Sequence, residues 1–378
     1  MKLQTPVLII GASFSGLATA ACLRRQKVAF EVIEKEGEVG APWRHHYDRL
    51  HLHTNKRLSG LPFLKWKRSA PRYPSRLEVV EYLEEYRRAF DIDPRFHTEA
   101  LVVRRAEAGW ITETAAGRIE SRYVVMATGM FGRPRGVGMV GEECFGGRIV
   151  HSYDYKTGVD FAAQRVLVVG FGNSAGEIAI DLVEQGAEVS MAVRSAVNVI
   201  PRDILGVPVL ELSLLLRYLP PRMADRVSAP LVRAVMGDLG GLGLRPKPYG
   251  PIEQIVREGK APVLDIGVVR LIREGRVRIF PGVEKLNETG AAFVDGRRAD
   301  FDAIVAAIGY EWSCRDIVAV DGRRFEDLRV SVDRQQFFGE DGLYFCGFWV
   351  SPTGQIREIS RDAKRIARDI VVREAGRT

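Results

Sequence analysis

The chain has little cysteine: four residues in 378, Cys22, Cys144, Cys314 and Cys346, far apart and with no Cys-x-x-Cys pair. That excludes a disulfide scaffold and a thiol-relay reductase, and it fits a reducing compartment. Long apolar runs are also missing. "LELSLLLRYLPP" is cut by Arg217 and two prolines, far short of the roughly 20 residues of a membrane span. The apolar run after Lys2 resembles a signal peptide only superficially, because Gly11 and Gly16 interrupt it at a spacing that a nucleotide fold explains better. There is no block of one charge. The 55 Lys and Arg exceed the 48 Asp and Glu by +7, but they are scattered, so no nucleic-acid-binding arm is expected. A basic cytoplasmic enzyme that attracts anionic ligands is the reading these absences leave.

With 46% apolar residues, a chain of this length can build two medium domains with real cores. "PVLIIG", "SGLATAACLRRQ" and "AFEVIEK" read strand, glycine turn with helix, strand: one βαβ unit. "EVVEYLEEYRRA" has helical periodicity and reads as a surface helix. "ALVVRRAEAGWITETAAGRIESRYVVMATG" reads as three antiparallel strands. A second βαβ follows from "RVLVVG" through "SAGEIAIDLVEQG" to "AEVSMAVR". Residues 200–260 read as a mostly helical insertion; strands return after 262, and "REISRDAKRIARDIVV" closes the chain as an amphipathic helix. The fold class expected is α/β, with two Rossmann-like dinucleotide-binding domains, one inserted into the other. The expected boundaries are 1–160 for the first part of the outer domain, 161–295 for the inserted domain and 296–378 for the return to the outer domain.

Two glycine turns carry the chemistry. Such glycines permit the tight turn, close approach of a pyrophosphate and helix-on-strand packing, while the helix N-terminus offers free N–H groups and a positive dipole end. The first turn runs Gly11, Ala12, Ser13, Phe14, Ser15, Gly16, with Ser13 where the middle glycine is usual. Glu34 ends the following strand, where a carboxylate accepts both hydroxyls of an adenosine ribose and repels a 2′-phosphate. The second turn keeps Gly170 and Gly172, then Asn173, Ser174 and Gly176. Its strand ends in Arg194 and Ser195, and a guanidinium there pairs with a 2′-phosphate. One site thus suits FAD, the other NADPH.

At these residues the sequence resembles the flavin-containing (class B) monooxygenases, in particular the plant YUCCA-type enzymes and their bacterial relatives. "FGGRIVHSYDY" carries the pattern Phe145, Gly147, His151, Tyr155. "GAPWR" is similar to the family's flavin-side loop, "ATG" at 127–129 to its strand-end motif, and "YDRLHLHTNKRLSGLPF", "PRYPSRLEVVEYLEEY", "GLGLRPKPYGPIE" and "SRDAKRIARDI" to YUCCA-type stretches. The resemblance implies FAD contacts from Lys35, Trp43, Arg44, His53 and Asn55. It also implies them from Val103, from Ala127, Thr128 and Gly129, and from Gln355, at a helix start whose dipole would aim at the flavin. It departs at Ser13, at Ile308 in "AAIGY", and at Asn55, where plant YUCCA-type enzymes tend to have proline and amine and sulfide oxygenases have asparagine.

The activity implied is NADPH-dependent reduction of FAD, reaction with O2 to a flavin C4a-(hydro)peroxide, and oxidative decarboxylation of a 2-oxo acid such as indole-3-pyruvate. Asn55 is the candidate catalytic residue beside the reacting oxygen; its alternative is a turn hydrogen bond. N- or S-oxygenation of amines or sulfides, or hydroxylation of an indole ring, is the second reading, and a non-oxygenating flavin reductase the third. His45, His46, His51 and His53 lack the ligand spacing of a zinc site, so no metal is expected. His151 is expected to tie the chain by hydrogen bonds, without a catalytic role. The partners expected are O2 and a small-molecule substrate, without nucleic acid or a membrane span; a homodimer is compatible with the sequence.

Overall fold

The computed structural model describes residues 2–130, 132–311, 314, 316–319 and 339–376. Two compact units divide the chain: Met1–His45, Thr54–Arg133 and Tyr310–Thr378 form the first, His46–His53 and Pro134–Gly309 the second.

The first unit opens with β1 (Lys2–Ile10), α1 (Phe14–Arg25) and β2 (Phe30–Ile33). The short α2 (Ala41–His45) and α3 (Arg76–Ala89) follow. Helix α3 starts where Ser75 and Glu78 make a reciprocal capping box, which satisfies two otherwise orphaned N–H groups. It buries Val79, Val80, Tyr82, Leu83 and Tyr86, a whole apolar face rather than a light surface contact. The three-strand reading holds as β3 (Val102–Ala106), β4 (Gly109–Thr114) and β5 (Gly117–Met126), joined antiparallel. Strand β1 lies between β2 and β5, parallel to both. Chain order therefore reverses at the end of β1, the switch point where α/β sheets bind ligands.

In the second unit, β6 (Arg148–His151), β7 (Arg165–Val169) and α4 (Asn173–Glu184) lead to β8 (Glu188–Ala192) and the short β9 (Val199–Pro201). The insertion supplies α5 (Val209–Leu216), α6 (Pro221–Met236) and α7 (Pro251–Glu258). Then come β10 (Val263–Asp265), which pairs with β9, α8 (Val268–Arg273), β11 (Val277–Phe280) and an antiparallel trio, β12 (Val283–Leu286), β13 (Gly290–Phe293) and β14 (Arg298–Asp300). Strand β15 (Ala303–Ala306) completes a five-stranded parallel sheet in the order β11-β8-β7-β15-β6. Its switch point is the end of β7, which runs into Gly170. Phe280 stacks on Phe293 at 4.2 Å, and both meet the edge of Phe301, which closes this core.

Back in the first unit, β16 (Val318–Ala319) pairs with β3, β17 (Leu343–Phe345) pairs with β5, and α9 (Gln355–Ala375) is the closing helix.

The unit boundaries fall at 133/134 and 309/310, not at 160/161 and 295/296. The reason is pairing: β6 and β15 lie side by side in the second sheet, so 134–160 and 296–309 go with it. Residues 46–53 also go with the second unit, held there by side chains described below.

Candidate functional site

In the first unit the turn after β1 is built around missing side chains. Gly11 has φ +108, and a Cβ on it would stand 2.7 Å from the Ala127 carbonyl oxygen at the end of β5. A Cβ on Gly16 would stand 1.8 Å from the Gly11 carbonyl oxygen, so α1 can start against the turn only with glycine there. Ser13 is the N-cap residue of α1, and its side chain makes no cap bond. The helix N-terminus is thus left for an anion.

Glu34 is buried and turned to this loop. Its Oε2 accepts the Ala12 N–H at 2.7 Å and its Oε1 the Glu36 N–H at 3.1 Å. Each carboxylate oxygen keeps a second lone pair, so the group can still accept two hydroxyls.

Four further stretches converge on the same turn. Trp43 meets the edge of Phe14 at 5.9 Å. Ala127 donates to Ile10, which sets Ala127, Thr128 and Gly129 beside Gly11. Gln355, at the start of α9, donates to the Gly347 carbonyl at 3.0 Å, and its amide nitrogen lies 3.6 Å from the Met130 sulfur. A Cβ on Gly347 would stand 2.2 Å from the Ser15 hydroxyl oxygen, so the starts of α1 and α9 meet there. Thr54 lies against Gly354, which brings its neighbour Asn55 to the start of α9. Asn55 is buried, and its Oδ1 accepts the Leu58 N–H at 3.1 Å, so the turn hydrogen bond is present.

Other expected FAD residues sit differently. Val103 is interior to β3, fully buried, with its N–H given to Ile317. Lys35 is exposed and paired with Glu36 at 3.6 Å. Arg44 is held by Glu84 at 2.8 Å and by the Val39 carbonyl, an arrangement that fastens α2 to α3. His53 belongs to the second unit: its Nε2 lies 2.5 Å from Oε1 of Glu177, a buried carboxylate on α4. With Arg49, forked onto Glu184 at 2.8 and 3.0 Å, His53 pins segment 46–53 to that helix. The ring of His51 faces the Arg49 carbonyl. Among the described residues, no group of three or more His, Cys, Asp or Glu side chains is placed to hold a metal.

The second turn is built the same way. Gly170 has φ +121, and its Cβ would stand 2.4 Å from the Ala307 carbonyl oxygen. Gly176 packs α4 beside Val268, where a Cβ would make an ordinary contact at 3.5 Å. Gly172 differs: it caps α4 with ordinary backbone angles, and nothing lies within 4 Å of the space its Cβ would take. Asn173 Oδ1 accepts the Leu264 N–H at 2.8 Å and so ties the turn to β10, while Ser174 follows on the first turn of α4.

Arg194 and Ser195 are exposed just past β8. Among the described residues no carboxylate pairs with the Arg194 guanidinium, and its stem lies on Gly282. Sequence reasoning missed Arg245, whose guanidinium donates to the Arg194 carbonyl at 2.5 Å. Its only signal was its place inside "GLGLRPKPYGPIE".

The pattern from Phe145 to Tyr155 has a structural reason. Phe145 enters the second core, Gly147 lets the chain pass the Asp302 carbonyl, and Tyr155 donates to Asp181 on α4 at 2.6 Å. His151 Nδ1 accepts the Tyr153 N–H, and burial holds its pKa below the ordinary value.

Two Rossmann-like sheets in one chain, one mixed and one parallel, each with a glycine turn at its switch point, define a flavoprotein oxidoreductase that handles two dinucleotides. A family model described as pyridine nucleotide-disulphide oxidoreductase matches residues 8–203. The chain is 36% identical over 372 residues to the indole-3-pyruvate monooxygenase YUCCA1 of Oryza sativa subsp. japonica, covering 96% of this chain and 90% of the relative. It is 37% identical over 379 residues to YUCCA6 of Arabidopsis thaliana, covering 97% and 90%. Among solved structures, an oxidized steroid monooxygenase bound to NADP superposes with a TM-score of 0.77 at 19% identity, covering 98% of this chain and 86% of that one. A flavin-containing monooxygenase from Stenotrophomonas maltophilia superposes with a TM-score of 0.71 at 20% identity, covering 98% and 99%. These two likenesses concern the fold.

The chain belongs to the flavin-containing monooxygenases, on their YUCCA-type branch. It is an NADPH-dependent flavoenzyme, with FAD and NADPH as cofactors and O2 and a small molecule as reactants. The disulphide chemistry in the family model's description has no counterpart here. All four cysteines are free; burial pushes the Cys22 thiol up to about 12 and the Cys346 thiol higher still, so neither ionises readily.

Proposed function

We propose that this enzyme converts a 2-oxo acid, with indole-3-pyruvate as the leading substrate, to the acid one carbon shorter. The balance is one 2-oxo acid, one O2, one NADPH and one proton giving the shortened acid, CO2, water and NADP+. The observation that carries this reading is identity of 36% and 37% over nearly the whole chain to indole-3-pyruvate monooxygenases. When bound, FAD supplies the reaction with O2 and NADPH the hydride.

The residues take these roles. Glu34 accepts the ribose hydroxyls of FAD, and the α1 N-terminus with Gly11, Ser13 and Gly16 takes its pyrophosphate. Trp43, Phe14, Ala127, Thr128, Gly129 and Gln355 complete that cradle. In the second unit the α4 N-terminus at Gly172 takes the pyrophosphate of NADPH, and Arg194 with Ser195 takes the 2′-phosphate. Asn55, buried and held by the turn through its Oδ1, is the polar side chain that would stand beside the reacting oxygen. The reaction is placed in the cytoplasm, where four unpaired thiols are at home.

Mixing purified enzyme, NADPH and indole-3-pyruvate in air tests the reading. Indole-3-acetate and CO2 in equal amounts, matched to NADPH consumed, support it. No product from oxo acids, together with tightly coupled NADPH use on amines or sulfides, overturns it in favour of N- or S-oxygenation. Asn55, in place of the proline of plant YUCCA-type enzymes, is the observation behind that second reading.

A further inference from the structure

The apolar stretch that neither nucleotide site uses lies in the helical insertion of the second unit. Helix α5, "VLELSLLL", has six apolar residues among eight, and none of its residues is buried. A helix of that composition in a soluble domain normally hides a face. Leu215 is 76% exposed and Tyr218, just beyond the helix, 78%. On α6, Met223, Val227, Leu231 and Val235 follow one another at intervals of four, so they run along one side of the helix, and all four are exposed. Upstream, Leu205 stands 95% exposed at the tip of a two-strand hairpin with φ +48. That left-handed position favours asparagine or glycine, yet an aliphatic side chain is presented to solvent there.

The exposed charges between residues 205 and 235 are all arginines; the two carboxylates of that stretch, Glu211 on α5 and Asp225 on α6, are half-buried and buried. Asp225 is the one acidic residue of α6, and it is buried, with its carboxylate accepting the N–H groups of Ile252 and Glu253 at the start of α7. Burial raises its pKa. What α6 shows to solvent is Arg222, Arg226 and Arg233 beside the apolar stripe. Arg222 pairs with Glu253; among the described residues no carboxylate pairs with Arg226 or Arg233. Arg217 lies over the ring of Tyr218 at 4.5 Å, an aromatic and a cation held together at the edge of the patch.

We propose that residues 205–235 form a peripheral membrane-binding face that seats on an anionic phospholipid layer. The aliphatic tips and Tyr218 enter the headgroup boundary, and the arginines pair with lipid phosphates. No helix among the described residues is long and apolar enough to cross a membrane, and a helix that lies in the interface needs no such length. A second copy of the chain fits this face less well: a two-fold contact sets the same unpaired arginines on both sides, with no exposed carboxylate on α6 to answer them.

The test is co-sedimentation of the full-length, FAD-loaded chain with vesicles of phosphatidylcholine alone and of phosphatidylcholine with phosphatidylserine. The chain should pellet with the mixed vesicles, leave them as salt is raised, and ignore phosphatidylcholine. Arg226→Glu with Arg233→Glu should weaken that binding by about tenfold or more. Leu215→Ser with Leu231→Ser should abolish it at low salt too. In both variants FAD content and NADPH oxidation should match the parent, which separates loss of the face from loss of folding. The proposal is overturned if the chain ignores the mixed vesicles, or if both variants bind like the parent. A concentration-dependent dimer that Leu215→Ser with Leu231→Ser dissolves, in a chain that binds no vesicle, overturns it as well.

Discussion

The Glu34 carboxylate accepts the backbone N–H of Ala12 at 2.7 Å, so the residue proposed to take the ribose hydroxyls also braces the turn proposed to take the pyrophosphate. Replacing it therefore strikes twice. Glu34→Ala leaves the N–H of Ala12 without its acceptor, at a cost of about 1–3 kcal/mol, and removes the hydroxyl acceptor. The purified variant should lose most of its yellow colour on dialysis, with the FAD Kd raised by at least about tenfold, while the second unit keeps its preference for the phosphorylated nicotinamide nucleotide. Flavin absorbance before and after dialysis measures this.

The two glycine turns respond differently to a single methyl group. In Gly16→Ala the new carbon would stand 1.8 Å from the Gly11 carbonyl, so the turn cannot form, and the protein should be colourless or insoluble. In Gly172→Ala nothing lies within 4 Å, so the loss should stay near 1 kcal/mol, the cost of alanine at a helix N-cap. The methyl group then enters the space where the proposed site takes the pyrophosphate. KM for NADPH should rise several-fold in a protein that melts close to the parent and stays yellow.

Tyr155 fastens the stretch after β6 to α4 through Asp181, a hydrogen bond of 2.6 Å between two buried groups. Tyr155→Phe leaves Asp181 with the Gly158 N–H alone. A loss of about 1.5–3 kcal/mol is expected, read as a lower Tm at unchanged FAD content.

His151 gives the fold a pH dependence with a definite sign. Burial holds its folded pKa below the ordinary 6.5, and its Nδ1 accepts a hydrogen bond only when unprotonated. The unfolded chain then binds more protons between the two values. The His151 contribution is intact above pH 6.5 and is lost as pH falls from there to the folded value. Thermal melts of the parent and of His151→Gln should differ in slope below pH 6.5, the parent falling more steeply; parallel curves would contradict this.

Much of the architecture is local and could be read from the sequence: both βαβ units, the β3–β4–β5 meander, α9, and the acid and guanidinium at the strand ends. What could not be read is pairing across distance. β6 and β15 look like any apolar strands, and only their parallel register in the second sheet moves 134–160 and 296–309 out of the first unit. His53 was expected with the flavin because its neighbours in "HLHTNK" carry that resemblance. Its hydrogen bond to Glu177 crosses 124 residues to reach α4, and no periodicity reports a contact of that kind. Arg245 escaped for the same reason, reaching Arg194 from 51 residues downstream.

Glu34 and Arg194 are proposed to sort the two coenzymes, and Arg194→Ala tests this. Flavin reduction is followed without oxygen under NADPH and under NADH, and the ratio of the two kcat/KM values is compared with that of the parent. Loss of a charge-assisted contact of about 1.5–3 kcal/mol predicts a fall in that ratio of roughly ten- to a hundredfold, with FAD content unchanged. A ratio equal to that of the parent would mean that Arg194 does not select the 2′-phosphate.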